Sequence, residues 1–420
     1  MWMVISVILA TLFVTIIAGN FRKPEKTVKH HIPHLHAVKA TQFKREMGSL
    51  LGPAIVPGNQ VTPLQNGDEI FPAMLGAIRG ATSSITFETY IYWSGQVGEE
   101  FAHALIERAS AGVPVHVMLD WVGSQKIPGL LIDNMKAAGI DVERYHPLRW
   151  HSFGRMNNRT HRKVLVVDGT LAFTGGVGIA DQWSGHAQDP RHWRDSHFKV
   201  AGPVVGQFQA AFLDNWIKTT GKVLHGERYF PPLAPIGSQD MQLFMSSPMG
   251  GSSSMRLMYL TAITAAECAI DIQAAYFVPD SLMIDALIRA RERNVRIRVL
   301  LPDKHLDSET IRIASKKMWG PLLASGVEMY QYQPTMLHCK MLIFDRHMVS
   351  VGSTNFDMRS FELNDEASLN VYDDAFAKQM TEVFEVDLKS ASAYSFDTWR
   401  QRPWRQKVAE CILIPLRSQL

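Results

Sequence analysis

The sequence predicts an α/β fold of two duplicated domains that build one pseudo-twofold site, with a transmembrane helix ahead of them. Three observations carry this. The same β-α-β order of apolar segments occurs in each half. A short polar-then-apolar pattern beginning at His161 recurs at His338, and Met1–Phe21 holds no charged side chain.

Taken in order, Met1–Phe21 is dominated by Val, Ile, Leu and Phe and as a helix is long enough to cross a hydrocarbon core of roughly 30 Å. A cleaved leader is the competing reading. Against it, no Lys or Arg precedes the apolar run and Ile16-Ile17-Ala18 is a poor small-residue cleavage site. Arg22, Lys23, Lys26 and Lys29 follow directly, opposed only by Glu25, which places the body on the cytoplasmic side of the cell (inner) membrane as a single-pass protein. Residues 22–58 then read as a basic, His-rich linker. His30, His31, His34 and His36 could be metal ligands, but Pro24 and Pro33 interrupt any helical ligand spacing, so a solvated tract is expected.

The first domain is placed at 59–228. Ser84–Tyr92 alternates as a strand, Glu99–Ala109 has a helical apolar period, and Val113–Leu119 returns as a strand. Phe230–Ser238 is Pro-rich and sets a linker at 229–240. The second domain, 241–392, repeats the order with Ala269–Ile272, Ser281–Ala290 and Val295–Leu301, so a mostly parallel inner sheet is expected in each. Two stretches suggest lipid contact. Arg149–Arg155 interleaves basic and aromatic residues, as a funnel for an anionic headgroup or as a plain exposed loop. Trp399–Arg405, within a C-terminal segment 393–420, suits docking at the headgroup layer or packing on the domain.

Composition narrows the function classes. A chain of 420 residues can bury sizeable cores. A net charge of +3 is too small to point to nucleic acid. Cys268, Cys339 and Cys411 form no disulfide framework, which fits a reducing compartment.

The chemistry lies in His161-Arg162-Lys163-Val164-Leu165-Val166-Val167-Asp168 and its near copy His338-Cys339-Lys340-Met341-Leu342-Ile343-Phe344-Asp345, each followed seven residues on by a glycine, Gly175 or Gly352. In an extended segment the His and Lys of each copy share a face while the apolar run anchors the strand. A single such His is ordinarily a hydrogen-bonded core residue. Two copies brought together put two imidazoles and two cations around one anionic group, which suits a phosphate with a nucleophile and a proton donor. Asp168 and Asp345 complete the motifs but fall on the parity opposite the Lys, so they are expected to brace the turn and the site.

These motifs resemble the HxKxxxxD motifs of the phospholipase D superfamily. The continuation Gly352-Ser353-Thr354-Asn355-Phe356-Asp357-Met358-Arg359-Ser360, running on to Asn364-Asp365-Glu366, resembles the bacterial cardiolipin synthase version. The likeness extends from about Val61 to Asp387, with Leu64-Gln65-Asn66-Gly67 and Ala275-Tyr276-Phe277-Val278-Pro279 inside it. It implies phosphatidyl transfer through a phosphohistidine, with His161 as nucleophile and His338 as acid and base. Lys163, Lys340, Asn355 and Ser353 would offset or bind the phosphate charge. Glu366 matches the family's acid that holds the other ring nitrogen of the nucleophilic His, and Asp195 is its counterpart in the first half. Metal and cofactor are not required by this scheme. Gly176 and Gly178 stand where the second copy has Ser353 and Asn355, so the first half departs from the pattern.

The resemblance thus implies a membrane enzyme acting on phospholipid. A cardiolipin synthase joining two phosphatidylglycerols with release of glycerol leads. A hydrolase passing the same intermediate to water, and so releasing phosphatidic acid, is the alternative. A nuclease is disfavoured by the anchor and the modest charge, and a membrane scaffold would have no use for two intact motifs.

Overall fold

The computed structural model describes residues 28–147, 158–247 and 254–413, with Trp2, Ile5, Ser6 and Thr11. The expected anchor lies almost wholly outside these residues, as does the Arg149–Arg155 stretch. Among the described residues no helix is long and apolar enough to cross a membrane.

In chain order the strands of the first half are β1 (Val56–Gln65), β2 (Ile85–Thr89), β3 (Val115–Asp120), β4 (Asp141–Tyr145), β5 (Val164–Val167), β6 (Leu171–Gly175) and β7 (Ser196–Ala201). The second half supplies β8 (Gln239–Ser246), β9 (Ala269–Ala274), β10 (Phe277–Val278), β11 (Arg296–Pro302), β12 (Glu328–Tyr332), β13 (Lys340–Phe344), β14 (Met348–Gly352), β15 (Phe356–Asp357), β16 (Glu366–Tyr372) and β17 (Ala391–Tyr394). Helices Gln96–Ser110 and Ser281–Glu292 lie where the apolar periods place them. All but β10 and β15 join one sheet, in the order β17-β12-β11-β9-β13-β14-β16-β8-β1-β7-β6-β5-β2-β3-β4. The halves meet where β1 and β8 pair antiparallel, Val56 opposite Met241.

The expectation of a mostly parallel sheet is corrected. Within the large sheet, among the described residues, only β2-β3-β4 and β9-β11-β12 run parallel; each motif strand instead folds straight back on its neighbour, β5 on β6 and β13 on β14. The turns explain it. Asp168 and Gly169 have φ of 53° and 64°, Asp345 and Arg346 of 50° and 49°, the paired positive values of a tight hairpin turn. The Asp side chains hold these turns to the sheet. Asp168 accepts from the amides of Thr82, Ser83 and Ser84 at 2.7–3.1 Å, and Asp345 from those of Glu267, Cys268 and Ala269 at 2.7–2.9 Å.

Alternation along the motif strands buries both faces. Leu165 and Val167 enter the first half's core with Phe87, Phe101 and Phe173, whereas Val164 and Val166 join Met341, Ile343, Leu243 and Leu369 in a core shared by both halves. Leu342 and Phe344 enter the second half's own core.

Residues 22–58 are not wholly a solvated linker. Thr41–Leu50 is a helix whose Phe43 and Met47, one turn apart, are fully buried in the second half's core. His34 Nδ1 lies 2.8 Å from the Thr264 carbonyl and His36 lies 3.1 Å from Glu46. The i, i+4 apolar pair outweighs the polar composition around it. At the other end Trp399 donates to the Lys316 carbonyl at 2.7 Å, and Arg402 stacks on its ring while pairing with Glu410. Packing on the domain is therefore the outcome for this segment as far as the buried Glu410, although Trp404 is left 70% exposed.

Candidate active site

Each motif His sits just ahead of its strand, where the backbone crosses to the other half. The His161 amide donates to the Asp365 carbonyl at 2.9 Å, and the Asp365 amide to the Arg159 carbonyl. At the equivalent point of the other half, the His338 amide donates to the Arg194 carbonyl at 2.8 Å, and the Arg194 amide to the Met336 carbonyl. Each His is thereby set beside the acid that follows the bridging residue. His161 Nδ1 lies 3.0 and 3.1 Å from the Glu366 oxygens, and His338 Nδ1 lies 2.8 Å from Asp195. Both imidazoles are held by a carboxylate of the opposite half, a crossing that the spacing of the motifs does not reveal.

The cations pack tightly. Lys163 Nζ donates to the His161 carbonyl at 2.9 Å, and Lys340 Nζ to the His338 carbonyl at 2.5 Å while standing 3.0 Å from the His338 ring nitrogens. Burial pushes the Lys163 ammonium down to about 7, against the pull of Glu366 and with a further push from Lys340. Burial likewise lowers Lys340. His161 is held down to about 4 by burial, opposed by Glu366, with Lys163 and Lys340 adding to the fall. His338 is lowered by burial and then by Lys340, against Asp195. Burial alone would raise Glu366 and Asp195; their imidazole and lysine neighbours more than reverse it and keep both below the usual carboxylate range. The two halves therefore act on one electrostatic site, in which Lys340 presses on Lys163 and both press on His161. An anionic diester would restore charge to these buried ammonium groups.

The other predicted residues divide. Ser353, expected among the phosphate's donors, is fully buried, and its hydroxyl donates to Glu366 at 2.5 Å and accepts from the Ala367 amide at 3.0 Å. Asn355 is buried beside it, and its Oδ1 finds no hydrogen-bond partner among the described residues. Asp168 and Asp345, grouped with the catalytic set by motif, sit at the far ends of their strands on backbone amides. The first half's departures have a steric cause. A Cβ on Gly176 would stand 2.3 Å from an Asp195 oxygen, and one on Gly178 2.8 Å from Ile91. Where Ser353 supports Glu366, the Trp183 indole supports Asp195, donating to Oδ2 at 2.9 Å.

Several neighbours escaped the sequence reading. Tyr90 stands edge-on to His161 with centroids 5.1 Å apart, and Trp183 and Trp193 flank His338 at 5.3 and 5.5 Å. Behind His161, Thr160 bonds Glu88, whose carboxyl burial raises to about 7. Among the described residues no group of three or more His, Cys, Asp or Glu could hold a metal ion.

A duplicated α/β sheet bearing two lysine-flanked, carboxylate-held imidazoles defines a phospholipase D-like protein. Comparison agrees: a family model described as "Cardiolipin synthase, PLD-like domain" matches residues 74–201 and 259–388. A cardiolipin synthase of Geobacillus sp. (strain WCH70) is 35% identical over 352 residues, 83% of this chain and 70% of that one. Cardiolipin synthase A of Pseudomonas fluorescens is 33% identical over 371 residues, 87% and 76% of the two chains. The crystal structure of a phosphatidylserine synthase from Haemophilus influenzae shares the fold, with a TM-score of 0.68 at 12% identity over 90% of this chain and 98% of that one. The chain belongs to the cardiolipin synthase family of phospholipase D-like proteins.

Proposed function

We propose that this chain is a cardiolipin synthase in which His161 and His338 divide the work of moving a phosphatidyl group from one phosphatidylglycerol to another. The observation that carries the division is the engagement of both Nδ1 atoms by buried carboxylates, which turns Nε2 of each ring to chemistry. In the first step His161 Nε2 attacks the diester phosphorus, the P–O bond to the glycerol headgroup breaks, and His338 gives the departing alkoxide its proton. Glycerol leaves. In the second, His338 takes the proton from a hydroxyl of the incoming phosphatidylglycerol, that oxygen bonds to phosphorus, and the P–N bond breaks. Lys163 and Lys340 stabilise the charge added in both transition states.

The neutral state that burial favours for His161 supports the nucleophile's role, since only an unprotonated nitrogen can attack. Asn355, buried two residues after Ser353, is assigned the phosphate contact through its amide nitrogen. The division into domains at 59–228 and 241–392 is kept, and the body is set at the cytoplasmic face of the cell membrane by the apolar segment Met1–Phe21 with its following Lys and Arg residues.

The test is incubation of the purified full chain with labelled phosphatidylglycerol in mixed micelles. Cardiolipin and glycerol in equal amounts are expected. Phosphatidic acid as the sole lipid product would make it a hydrolase. Acid quench after brief exposure separates the imidazoles: His338→Ala retains some phosphatidyl label on the protein and His161→Ala retains none, the opposite pattern exchanging the roles.

A further inference from the structure

Each acid that holds an imidazole is preceded by a charged residue plugged into the opposite half. Arg194, before Asp195, reaches Asp387 at the end of helix Asp374–Leu388 of the second half: Nε and Nη2 donate to its two oxygens, each at 2.9 Å, and Gln273 donates to the same carboxylate at 2.7 Å. Asp365, before Glu366, is inserted the other way. Its carboxylate accepts from the Tyr145 hydroxyl at 2.5 Å and stands 4.0 Å from Arg162 and Lys218, all three in the first half. Glu88 and Asp214 share that socket through Arg162. Arg194 and Asp365 are both buried. The polarity is inverted: one half sends a cation into an anionic socket, the other an anion into a phenolic and cationic one.

None of these groups touches the reacting atoms, yet each fixes the backbone from which an acid projects. We propose that Tyr145–Asp365 and Arg194–Asp387 are two positioning latches, the first setting the Glu366–His161 pair and the second the Asp195–His338 pair. A hydrogen bond to a charged group holds its partner's direction as well as its place, and a carboxylate displaced by a fraction of an ångström loses its hold on an imidazole. The latches thus tune the imidazoles one at a time. Which step each controls rests on the roles proposed above; selectivity for one imidazole does not.

The test uses the full chain in mixed micelles with Tyr145→Phe and Asp387→Asn. Each is expected to lower kcat about tenfold, the loss of one hydrogen bond to a charged group, with KM within about twofold. The pH profiles should part. Glu366 supports proton binding on His161 against burial, so Tyr145→Phe moves the acid limb to lower pH and leaves the alkaline limb in place. Asp195 does the same for His338, so Asp387→Asn moves the alkaline limb to lower pH and leaves the acid limb. Under acid quench Tyr145→Phe lowers the trapped phosphatidyl label and Asp387→Asn raises it. Exchanged label with the limbs still separated supports the latches and reverses the roles of the imidazoles. Equal shifts of both limbs in both variants, or a lower melting temperature with unchanged kcat and profile, overturns the proposal. Should Tyr145→Phe not fold, Lys218→Gln at the exposed rim of the same socket is read instead: a smaller shift of the acid limb supports the latch and an unmoved limb overturns it.

Discussion

Replacing Gly176 by Ala adds one methyl group at the point where the first motif departs from the second. That methyl would stand 2.3, 2.6 and 2.8 Å from the three carboxylate atoms of Asp195, closer than any carbon tolerates, so the carboxylate must move. Asp195 is fully buried between the Trp183 indole at 2.9 Å, the Ser196 amide at 2.8 Å and His338 at 2.8 Å. Of these only His338 belongs to the other half, and its ring has no covalent reason to follow. Loss of a hydrogen bond to a charged group costs about 1.5–3 kcal/mol, which in turnover is about 10- to 160-fold. The measurement is kcat for cardiolipin formation by wild type, Gly176→Ala, Asp195→Asn and the double variant, with melting temperatures to account for overpacking of roughly 1–3 kcal/mol. If the methyl acts through Asp195, the double variant is no slower than Asp195→Asn alone. Near-normal turnover in Gly176→Ala, or full additivity in the double variant, would refute the steric account of the glycine.

Three further outcomes are expected. Lys163→Met and Lys340→Met should each lower kcat by orders of magnitude, since one preorganised transition-state charge is worth about 3 kcal/mol or more; a variant with near-normal turnover removes that Lys from the site. Glu88→Gln should change the pH dependence of stability. The Glu88 carboxyl is raised from 4.5 to about 7 by burial, so its contribution is full below the unfolded value and is lost as pH rises through about 7. Gln, with no proton to lose, should therefore gain on wild type in melting temperature between acid and mildly alkaline pH, and a difference that does not vary with pH would count against a protonated Glu88. Activity should survive EDTA; loss with recovery on adding one defined metal, with lipid packing controlled, would count against the phosphohistidine scheme.

The twin motifs made the site legible because the chemistry demands particular residue types at fixed spacing: His161, Lys163, His338, Lys340, Glu366 and Asp195 all meet where the structure joins its halves. The crossing of acids to opposite halves is implied for Glu366 and His161 by the resemblance alone, because spacing along the chain carries no information about which strand a loop faces. Ser353 was assigned to phosphate since a hydroxyl near a motif can donate anywhere; only its closeness to Glu366 shows where its proton goes. The parallel sheet was over-read for a related reason. The β-α-β segments were recognised, while the Asp-led hairpin turns that reverse the motif strands do not show in apolar periodicity. Thr41–Leu50 was hidden by its polar surroundings, its anchoring residues being only Phe43 and Met47.

That short helix has a consequence for synthesis. Phe43 packs edge-on to Tyr372, and the Leu51 carbonyl just past the helix accepts from Gln242, so the partners of this segment are translated 191 to 329 (372 − 43) residues after it. At about 5–20 residues per second the wait is on the order of 10–66 s, during which Phe43 and Met47 face water or a chaperone. Contacts of such long range come late and slow the approach to the native state. A chain interrupted just ahead of the second motif would carry Gln242 but not Tyr372, and would leave this helix half covered as well as the imidazoles uncompleted.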